Sequence, residues 1–200
     1  MNTASSRPIV DLPAPSHGGM SLDQTLATRR TVRELTGPPL TDAELSQLLW
    51  SAQGLTPAGN RTAPSAGATY PTELYLLTAD GVFHYRPHRH DLEIVSGEDE
   101  RLPLFDNAVG QEAVRDAPAV FVVSAVFERT EAKYGERAAR YVHIEAGHVA
   151  QNLLLQATAL GLGAVPVGDF DDAAVSEILG LPSDHEPLYL LPVGHPAAGR

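Results

Sequence analysis

The segment Arg29-Arg30-Thr31-Val32-Arg33 places three arginines within five residues of a chain whose formal net charge is −11. Arginine presents a rigid set of N–H donors that fits phosphate and carboxylate groups. The neighbouring Thr31 hydroxyl can donate a further hydrogen bond to the same anion. Because core packing gives no reason to concentrate positive charge in an acidic chain, the segment predicts an anion site, such as the phosphate of a bound cofactor or substrate.

Lys133 and Tyr134 are adjacent residues that could transfer protons. Both side-chain types act as acids or bases when burial shifts their pKa. The alternative interpretation is an exposed lysine beside a half-buried tyrosine, without a chemical role. The residues alone leave both interpretations open.

The stretch 55–71 is a long loop of small residues, glycine and proline. Loops of this length inside a compact domain are more often functional than idle. Ser65 lies in Ala-Pro-Ser-Ala-Gly, which is not the nucleophile-elbow pattern, so a nucleophilic serine is not predicted. Small residues let main-chain amides approach a planar ligand closely, and a backbone-rich binding loop is the better interpretation.

His143, Glu145 and His148 are spaced in a way that suggests a metal site. Histidines five residues apart diverge by roughly 140° around a helix, so they cannot easily share one ion. Glu145 and His148 can meet at i,i+3 as a structural contact. No metal site is predicted.

Two other patterns are given no functional role. Gly161-Leu162-Gly163 follows a predicted helix rather than a strand and lacks a third glycine, so it indicates a helix end rather than a dinucleotide fingerprint. The histidines at 84, 88 and 90 are explained by the polarity of a loop after a hairpin.

Composition limits the class of protein. The chain has 25 acidic and 14 basic residues and no cysteine. The acidic excess makes nucleic acid and anionic membranes poor partners, and the missing cysteines exclude disulfides and thiolate metal sites. No apolar run approaches the ~20 residues of a membrane helix, and the N-terminus lacks the pattern of a secretory signal. A cytoplasmic location is expected.

Periodicity, capping patterns and turn residues predict a mixed structure. Helices are predicted at 21–28, 41–54, 107–115, 140–160 and 173–179. Strands are predicted at 73–78, 82–85, 119–126, 164–168 and 188–193. Because strands and helices do not alternate strictly, an α+β fold is predicted rather than a doubly wound sheet. Residues 1–20 are predicted to be an irregular N-terminal lead-in and 21–200 a single domain.

A series of sequence blocks carries a family resemblance. The blocks are GlyGlyMetSerLeu (18–22), ArgArgThrValArg (29–33), LeuLeuTrpSerAlaGlnGly (48–54), AlaProSerAlaGlyAlaThrTyrPro (63–71), LysTyrGlyGluArg (133–137), TyrValHisIleGluAlaGlyHisValAlaGlnAsn (141–152) and AlaValProValGlyAspPhe (164–170). In order and spacing they resemble the flavin-dependent nitroreductase-like family, and within it the SagB-type (azoline dehydrogenase-like) branch. The resemblance extends from about Gly18 to Pro196.

The resemblance implies a nitroreductase-like fold, with a central, mostly antiparallel sheet flanked by helices. It also implies an intertwined homodimer with FMN at the subunit interface. In such proteins the arginine block holds the FMN phosphate and ribityl chain, and the matching residues are Arg29, Arg30, Thr31 and Arg33. A further basic residue near the C-terminus often completes the phosphate site, and Arg200 is a candidate.

The resemblance also implies which segments contact the flavin ring. A loop that crosses from the partner subunit matches Pro64, Ser65, Ala66 and Gly67. The segment before the last helix runs beside the ring and matches Pro166, Val167, Gly168 and Asp169. In the azoline-oxidising branch a Lys-Tyr pair acts in proton removal, and it matches Lys133 and Tyr134.

Three hypotheses for the function follow. The first is an FMN oxidoreductase that oxidises azoline-like heterocycles in a small molecule or peptide by hydride transfer to flavin, with Lys133 or Tyr134 removing a proton. The second is a broad-specificity NAD(P)H-dependent nitroreductase or quinone-type reductase, which needs the same flavin pocket but no acid–base pair. The third is a non-catalytic flavin-binding partner in a biosynthetic complex.

Overall fold

The computed structural model describes residues 8–16 and 19–197, and Arg200 lies outside these ranges. One antiparallel sheet forms its centre, in the order β1-β5-β4-β3-β6-β8-β2, with β7 paired to β8. The strands are β1 (Ile9–Asp11), β2 (Leu35–Thr36), β3 (Thr72–Thr78), β4 (Gly81–Arg86), β5 (Asp91–Ser96), β6 (Ala119–Ala125), β7 (Gly163–Ala164) and β8 (Glu186–Pro196). The predicted α+β class with helices around a central antiparallel sheet is confirmed.

Helices flank the sheet in the described ranges, and two of them begin with a capping box. The α-helices are α1 (Leu22–Thr28), α2 (Asp42–Gln53), α3 (Arg101–Leu104), α4 (Glu112–Asp116), α5 (Glu128–Tyr134), α6 (Ala138–Ala159) and α7 (Asp172–Ile178). Ser21 caps α1 and Thr41 caps α2, each exchanging hydrogen bonds with the residue three positions later. These caps satisfy N–H groups that the first helical turn leaves unpaired. None of the helices in the described residues is long and apolar enough to cross a membrane.

Strand β6 is the centre of the core because every one of its residues is buried. Its alternating side chains divide the core into two layers on opposite faces of the sheet. Phe121 and Val123 face the layer that contains the buried stripe of α6, including Leu153. Val120 and Val122 face the layer covered by α4 and α7.

Several elements differ from the sequence-based expectation. Residues 1–20 were expected to be irregular, but Ile9–Asp11 form β1 and pair with β5 at the sheet edge. Such a strand is too short to show a period. The helix expected at 107–115 is interrupted at Gly110, which has a left-handed φ of 66° and ends the preceding turn of helix.

The strand expected at 164–168 is also shorter than predicted. Only Gly163–Ala164 pair regularly with β8, and Val167 makes an isolated bridge to Leu190. Pro166 lies between these contacts and has no N–H to donate to a continuous ladder. The chain therefore leaves the sheet and returns to it one residue later.

Candidate functional site

The arginine segment lies between α1 and β2, where two backbone hydrogen bonds hold it. The Val32 amide donates to the Ala164 carbonyl at 2.9 Å, and the Ala197 amide donates to the Glu34 carbonyl at 3.0 Å. Gly163 permits this approach, since a Cβ there would lie 2.9 Å from the Val32 side chain. The segment is thus fixed against β7 and the end of β8.

A cavity of about 390 Å³ opens beside this segment and is lined by Arg30, Thr31 and Arg33, together with Glu34 and the end of β8. Two guanidinium groups and a hydroxyl form a donor set that fits a phosphate. Arg29 lies at the C-terminal cap of α1, with its amide bonded to the Thr25 carbonyl. The structure therefore brings three of the four predicted phosphate-binding residues to one cavity.

The predicted binding loop and the predicted acid–base pair meet at Gly67. Lys133 Nζ donates to the Gly67 carbonyl at 3.1 Å. A Cβ built on Gly67 would lie 2.5 Å from the Tyr134 hydroxyl and 2.6 Å from Lys133 Nζ. Both polar side-chain ends therefore converge on one glycine, and Lys133 is the sole lysine in the 200-residue sequence.

The backbone of this loop adopts unusual conformations. Gly67, Ala68 and Tyr70 all have left-handed φ values, of 60°, 55° and 46°. Such a conformation costs a residue with a side chain about 1–3 kcal/mol and persists only when surrounding contacts impose it. One such contact is internal, because the Ser65 hydroxyl accepts a hydrogen bond from the Tyr70 amide at 2.9 Å.

Helix α5 supplies further contacts that hold the loop. The Thr130 and Thr69 hydroxyls are 2.9 Å apart, and Arg129 Nη1 donates to the Tyr70 carbonyl at 3.1 Å. The α5 residues that make these contacts lie on one face of the helix together with Lys133, which bonds Gly67. No helix was predicted at 128–134, because its N-cap residue is Phe127, whose side chain cannot accept a hydrogen bond, and the segment has no apolar stripe.

Arg129 also connects the loop to the sheet through Glu73. Arg129 Nη1 lies 2.6 Å from Glu73 Oε1, and His84 Nε2 lies 2.8 Å from Glu73 Oε2. Burial alone would raise the pKa of Glu73, but hydrogen bonds and charge from His84 and Arg129 outweigh it, so the pKa is lowered. The assignment of His84 to a polar loop was wrong: it lies in β4 and stacks on Tyr75.

The segment Pro166–Asp169 continues from β7 along β8. The Val167 amide donates to the Leu190 carbonyl at 2.8 Å and the reverse bond is 2.9 Å. Val167 is buried, whereas Gly168 and Asp169 are exposed. Ala164 in β7 accepts a hydrogen bond from the Val32 amide. The segment Pro166–Asp169 is therefore connected through β7 to the arginine segment.

The two groups of predicted site residues lie at different positions along α6. Thr158 lines a second cavity with Arg30, whereas His148 Nδ1 donates to the Pro64 carbonyl at 3.3 Å. A helix rises 1.5 Å per residue, so these two positions are separated by about 15 Å along its axis. The phosphate-type cavity and the binding loop of one chain are thus well apart.

The residues considered for a metal site serve other purposes. Within 8–16 and 19–197, no three His, Asp or Glu side chains are arranged to hold a metal ion. His143 Nδ1 donates to Ala139 in its own helix at 2.6 Å. Glu145 accepts a hydrogen bond from the Thr72 hydroxyl at 2.8 Å, and His148 contacts the loop.

The chain is similar to several known proteins. A protein of Methanocaldococcus jannaschii, provisionally named a nitroreductase, is 43% identical over 192 residues, covering 92% of this chain and 96% of its own length. The microcin B17-processing protein McbC of Escherichia coli is 29% identical over 133 residues, covering 60% of this chain and 48% of its own. A crystal structure from Ralstonia eutropha JMP134, also provisionally named a nitroreductase, has a TM-score of 0.85 and 29% identity, covering 98% of this chain and 93% of that one.

The family model described as "Nitroreductase family" matches residues 26–195. This range contains the arginine segment, the binding loop and the Lys133–Tyr134 pair. The donor set of Arg30, Thr31 and Arg33 also suits the phosphate of a flavin mononucleotide. The chain therefore belongs to the nitroreductase family and is an FMN-dependent oxidoreductase.

Proposed function

We propose that this protein is a SagB-type dehydrogenase, which oxidises azoline-like five-membered rings to the aromatic azole. The observation that carries this proposal is the convergence of Lys133 Nζ and the Tyr134 hydroxyl on Gly67 in the binding loop. A general oxidoreductase of this family needs a flavin site but no acid–base pair beside it. The similarity to the microcin B17-processing protein McbC gives further support.

Each group of residues has a distinct task in this proposal. Arg30, Thr31 and Arg33 hold the FMN phosphate, with Arg29 supporting them from the end of α1. The loop residues Pro64, Ser65, Ala66 and Gly67 and the segment Pro166, Val167, Gly168 and Asp169 contact the ring system. When bound, FMN would supply the hydride acceptor for the oxidation.

Lys133 or Tyr134 accepts the proton that is lost from the neighbouring ring carbon. The azoline then loses one proton and one hydride from adjacent ring carbons, and a C=C bond forms between these carbons. Positioned proton transfer of this kind contributes about 10²–10⁴-fold to a reaction rate. The bond from Lys133 to Gly67 fixes the amine at the loop and so orients it toward a substrate that lies there.

We also infer that the active form is a homodimer with FMN at the subunit interface. Thr158, which lines a cavity with Arg30, and His148, which bonds the binding loop, are about 15 Å apart along α6, an arrangement suited to a site completed by a second copy. Helix α1 exposes Leu22 and Leu26 at 64% and 53%, and α6 exposes Ile144 at 49%. Exposed apolar side chains of this size are candidates for burial between subunits.

A second candidate is an NAD(P)H-dependent reductase of nitroaromatics or quinones. It is favoured by the high identity to the Methanocaldococcus jannaschii protein, which carries a nitroreductase name. In that case the exposed Lys133 would have a structural role at the loop. The two candidates share the cofactor site and differ in whether the acid–base pair is needed.

The experiment that separates them starts from FMN-loaded protein. Its visible spectrum is recorded before and after anaerobic addition of NADPH, NADH or a thiazoline-containing peptide. If the protein is the dehydrogenase, the peptide should bleach the flavin bands, and mass spectrometry should show that the peptide has lost two hydrogens per ring. Rapid bleaching by NADPH or NADH with no change in the peptide would instead establish the reductase.

A further inference from the structure

Glu145 is a carboxyl group buried inside the fold, with a relative exposure of 2%. It lies in the middle of α6 and faces the start of β3 and the binding loop. Its Oε1 accepts a hydrogen bond from the Thr72 hydroxyl at 2.8 Å, and the Ser65 hydroxyl lies near enough to help lower its pKa. One carboxyl group is thus close to residues at both ends of the segment 65–72.

Ser65 connects the Glu145 carboxyl group to the part of the loop that has left-handed φ values. The Ser65 hydroxyl accepts from the Tyr70 amide at 2.9 Å, so its own proton is free to be donated to the nearby Glu145 carboxyl group. Tyr70 is one of the residues with left-handed φ. Glu145 therefore acts through Ser65 on a backbone conformation that needs outside support.

His148 lies one helical turn after Glu145 and contacts the preceding loop residue. Its Nδ1 donates to the Pro64 carbonyl at 3.3 Å. Two α6 side chains at i and i+3 therefore hold two consecutive loop residues, as the common face of a helix allows. The adjacent His143 differs, because it bonds to the Ala139 carbonyl of its own helix and packs against the Phe127 ring.

The Thr72 side of the contact is also fully partnered. Gln53 Nε2 donates to the Thr72 hydroxyl, and Arg61 Nη1 donates to the Gln53 carbonyl at 3.1 Å. A buried carboxyl group is costly unless hydrogen bonds satisfy it, and an apolar side chain would avoid that cost. Burial accordingly raises the pKa of Glu145, although Ser65 and Thr72 partly oppose the effect. A polar group retained under these conditions indicates a task other than stability.

We propose that Glu145 is a positioning residue that, with His148, holds the Pro64–Gly67 loop in the geometry needed against the flavin. The inference rests on the proposed function, since it assumes that this loop contacts the cofactor. Glu145 is buried behind the loop and acts through Ser65 and Thr72. The trio His143, Glu145 and His148 thus contains two loop-positioning residues and one that serves only its own helix.

The test compares FMN-loaded wild-type protein with Glu145→Ala, Glu145→Gln, Ser65→Ala and the control His143→Gln. Glu145→Ala is expected to shift the visible flavin bands and to lower kcat by about 10-fold or more, as a misplaced contact does, with little change in KM. Glu145→Gln should restore both readouts to within about 3-fold, because its amide can accept from Thr72 and donate to Ser65. His143→Gln should match the wild type.

Ser65→Ala keeps the proposal testable if Glu145→Ala fails to fold. It removes the loop side of the same contact and should reproduce the spectral shift. Where both alanine variants fold, the double variant should lose less than the sum of the two single losses, because the two residues act through one contact. The proposal is overturned if folded Glu145→Ala or Ser65→Ala has the spectrum and kcat of His143→Gln. Failure of the wild-type protein to bind FMN would instead overturn the proposed function.

Discussion

Lys133 Nζ donates a hydrogen bond to the carbonyl oxygen of Gly67 at 3.1 Å, joining residues 66 positions apart in the chain. The contact places the amine of α5 beside a loop glycine whose φ is 60°. A side chain at this glycine would occupy the space where Lys133 and Tyr134 converge. The relationship makes the loop and the acid–base pair one structural unit.

Replacing Gly67 with alanine tests that unit directly. The left-handed φ disfavours a side chain, and the new methyl group would lie 2.5 Å from the Tyr134 hydroxyl. We expect turnover to fall by about 10-fold or more, while FMN affinity changes less because the arginine cavity is elsewhere. Gly59→Ala is the control, since Gly59 also has a positive φ but a Cβ there has no neighbour within 4 Å. Equal activity of the two variants would contradict the crowding argument.

Replacing Lys133 with alanine or arginine separates proton transfer from charge. Arginine keeps the positive charge but cannot release its proton. If Lys133 is the base, both variants should lose about 100-fold or more in azoline oxidation, while FMN stays bound. Because Lys133 is the sole lysine, amine-directed modification of the wild type should give the same loss, apart from reaction at the N-terminus. Full oxidation by Lys133→Ala would assign the role to Tyr134 or remove the pair from the mechanism.

Replacing Arg30 or Arg33 with alanine tests the phosphate site. A charge-assisted hydrogen bond contributes about 1.5–3 kcal/mol, so FMN affinity should weaken by about 10- to 100-fold for each. Arg29→Ala should weaken it less, because Arg29 caps α1 while Arg30 and Arg33 line the cavity. The exposed Arg89 provides the control. Titration with FMN by fluorescence gives the constants, and equal affinity of Arg30→Ala and Arg89→Ala would refute the site.

The parts of the fold that were predictable from sequence are those governed by local rules. The capping boxes at Ser21 and Thr41 and the β-branched run of β6 each depend on residues close in the chain. Strand β5 was missed because its first residue, Asp91, is a buried carboxylate, which a hydrophobic pattern does not suggest. Asp91 is tolerated there because Arg86 pairs with it at 2.7 Å.

The site was predictable only as separate segments. Residue types together with the family resemblance indicated the arginine block, the loop and the Lys133–Tyr134 pair, but no local signal indicates that Lys133 would contact Gly67. The importance of Glu145 was equally hidden, because its partners Ser65 and Thr72 are distant in sequence. Composition did point to Lys133, because it is the one lysine in a sequence whose other Lys or Arg positions are all arginine.

Breaking the ion pair between Arg129 and Glu73 should weaken the attachment of the binding loop to the sheet. Arg129 bonds both Glu73 Oε1 and the Tyr70 carbonyl, so Arg129→Ala removes both contacts and leaves the half-buried Glu73 with fewer partners. We expect lower turnover and a lower Tm. The matched control is Arg115→Ala, which breaks an exposed pair with Asp116 of similar length, 2.7 Å. Exposed pairs contribute little to stability, so equal effects of the two variants would contradict the loop-holding role.

The buried carboxyl of Glu145 should make stability depend on pH in a particular direction. Burial raises its pKa above the ordinary 4.5, with hydrogen bonds from Ser65 and Thr72 and the nearby His148 opposing the shift. The folded state therefore binds this proton more tightly than the unfolded state, so the stabilising effect is complete below about 4.5 and is lost as pH rises through the folded pKa. Each unit by which the folded pKa exceeds the unfolded pKa corresponds to about 1.4 kcal/mol in the free energy of unfolding. Glu145→Gln carries no titrating proton, so its free energy of unfolding relative to the wild type should increase between pH 4.5 and neutrality. Denaturant unfolding at several pH values measures this difference, and a difference that stays constant or decreases would show that Glu145 ionises without penalty in the fold.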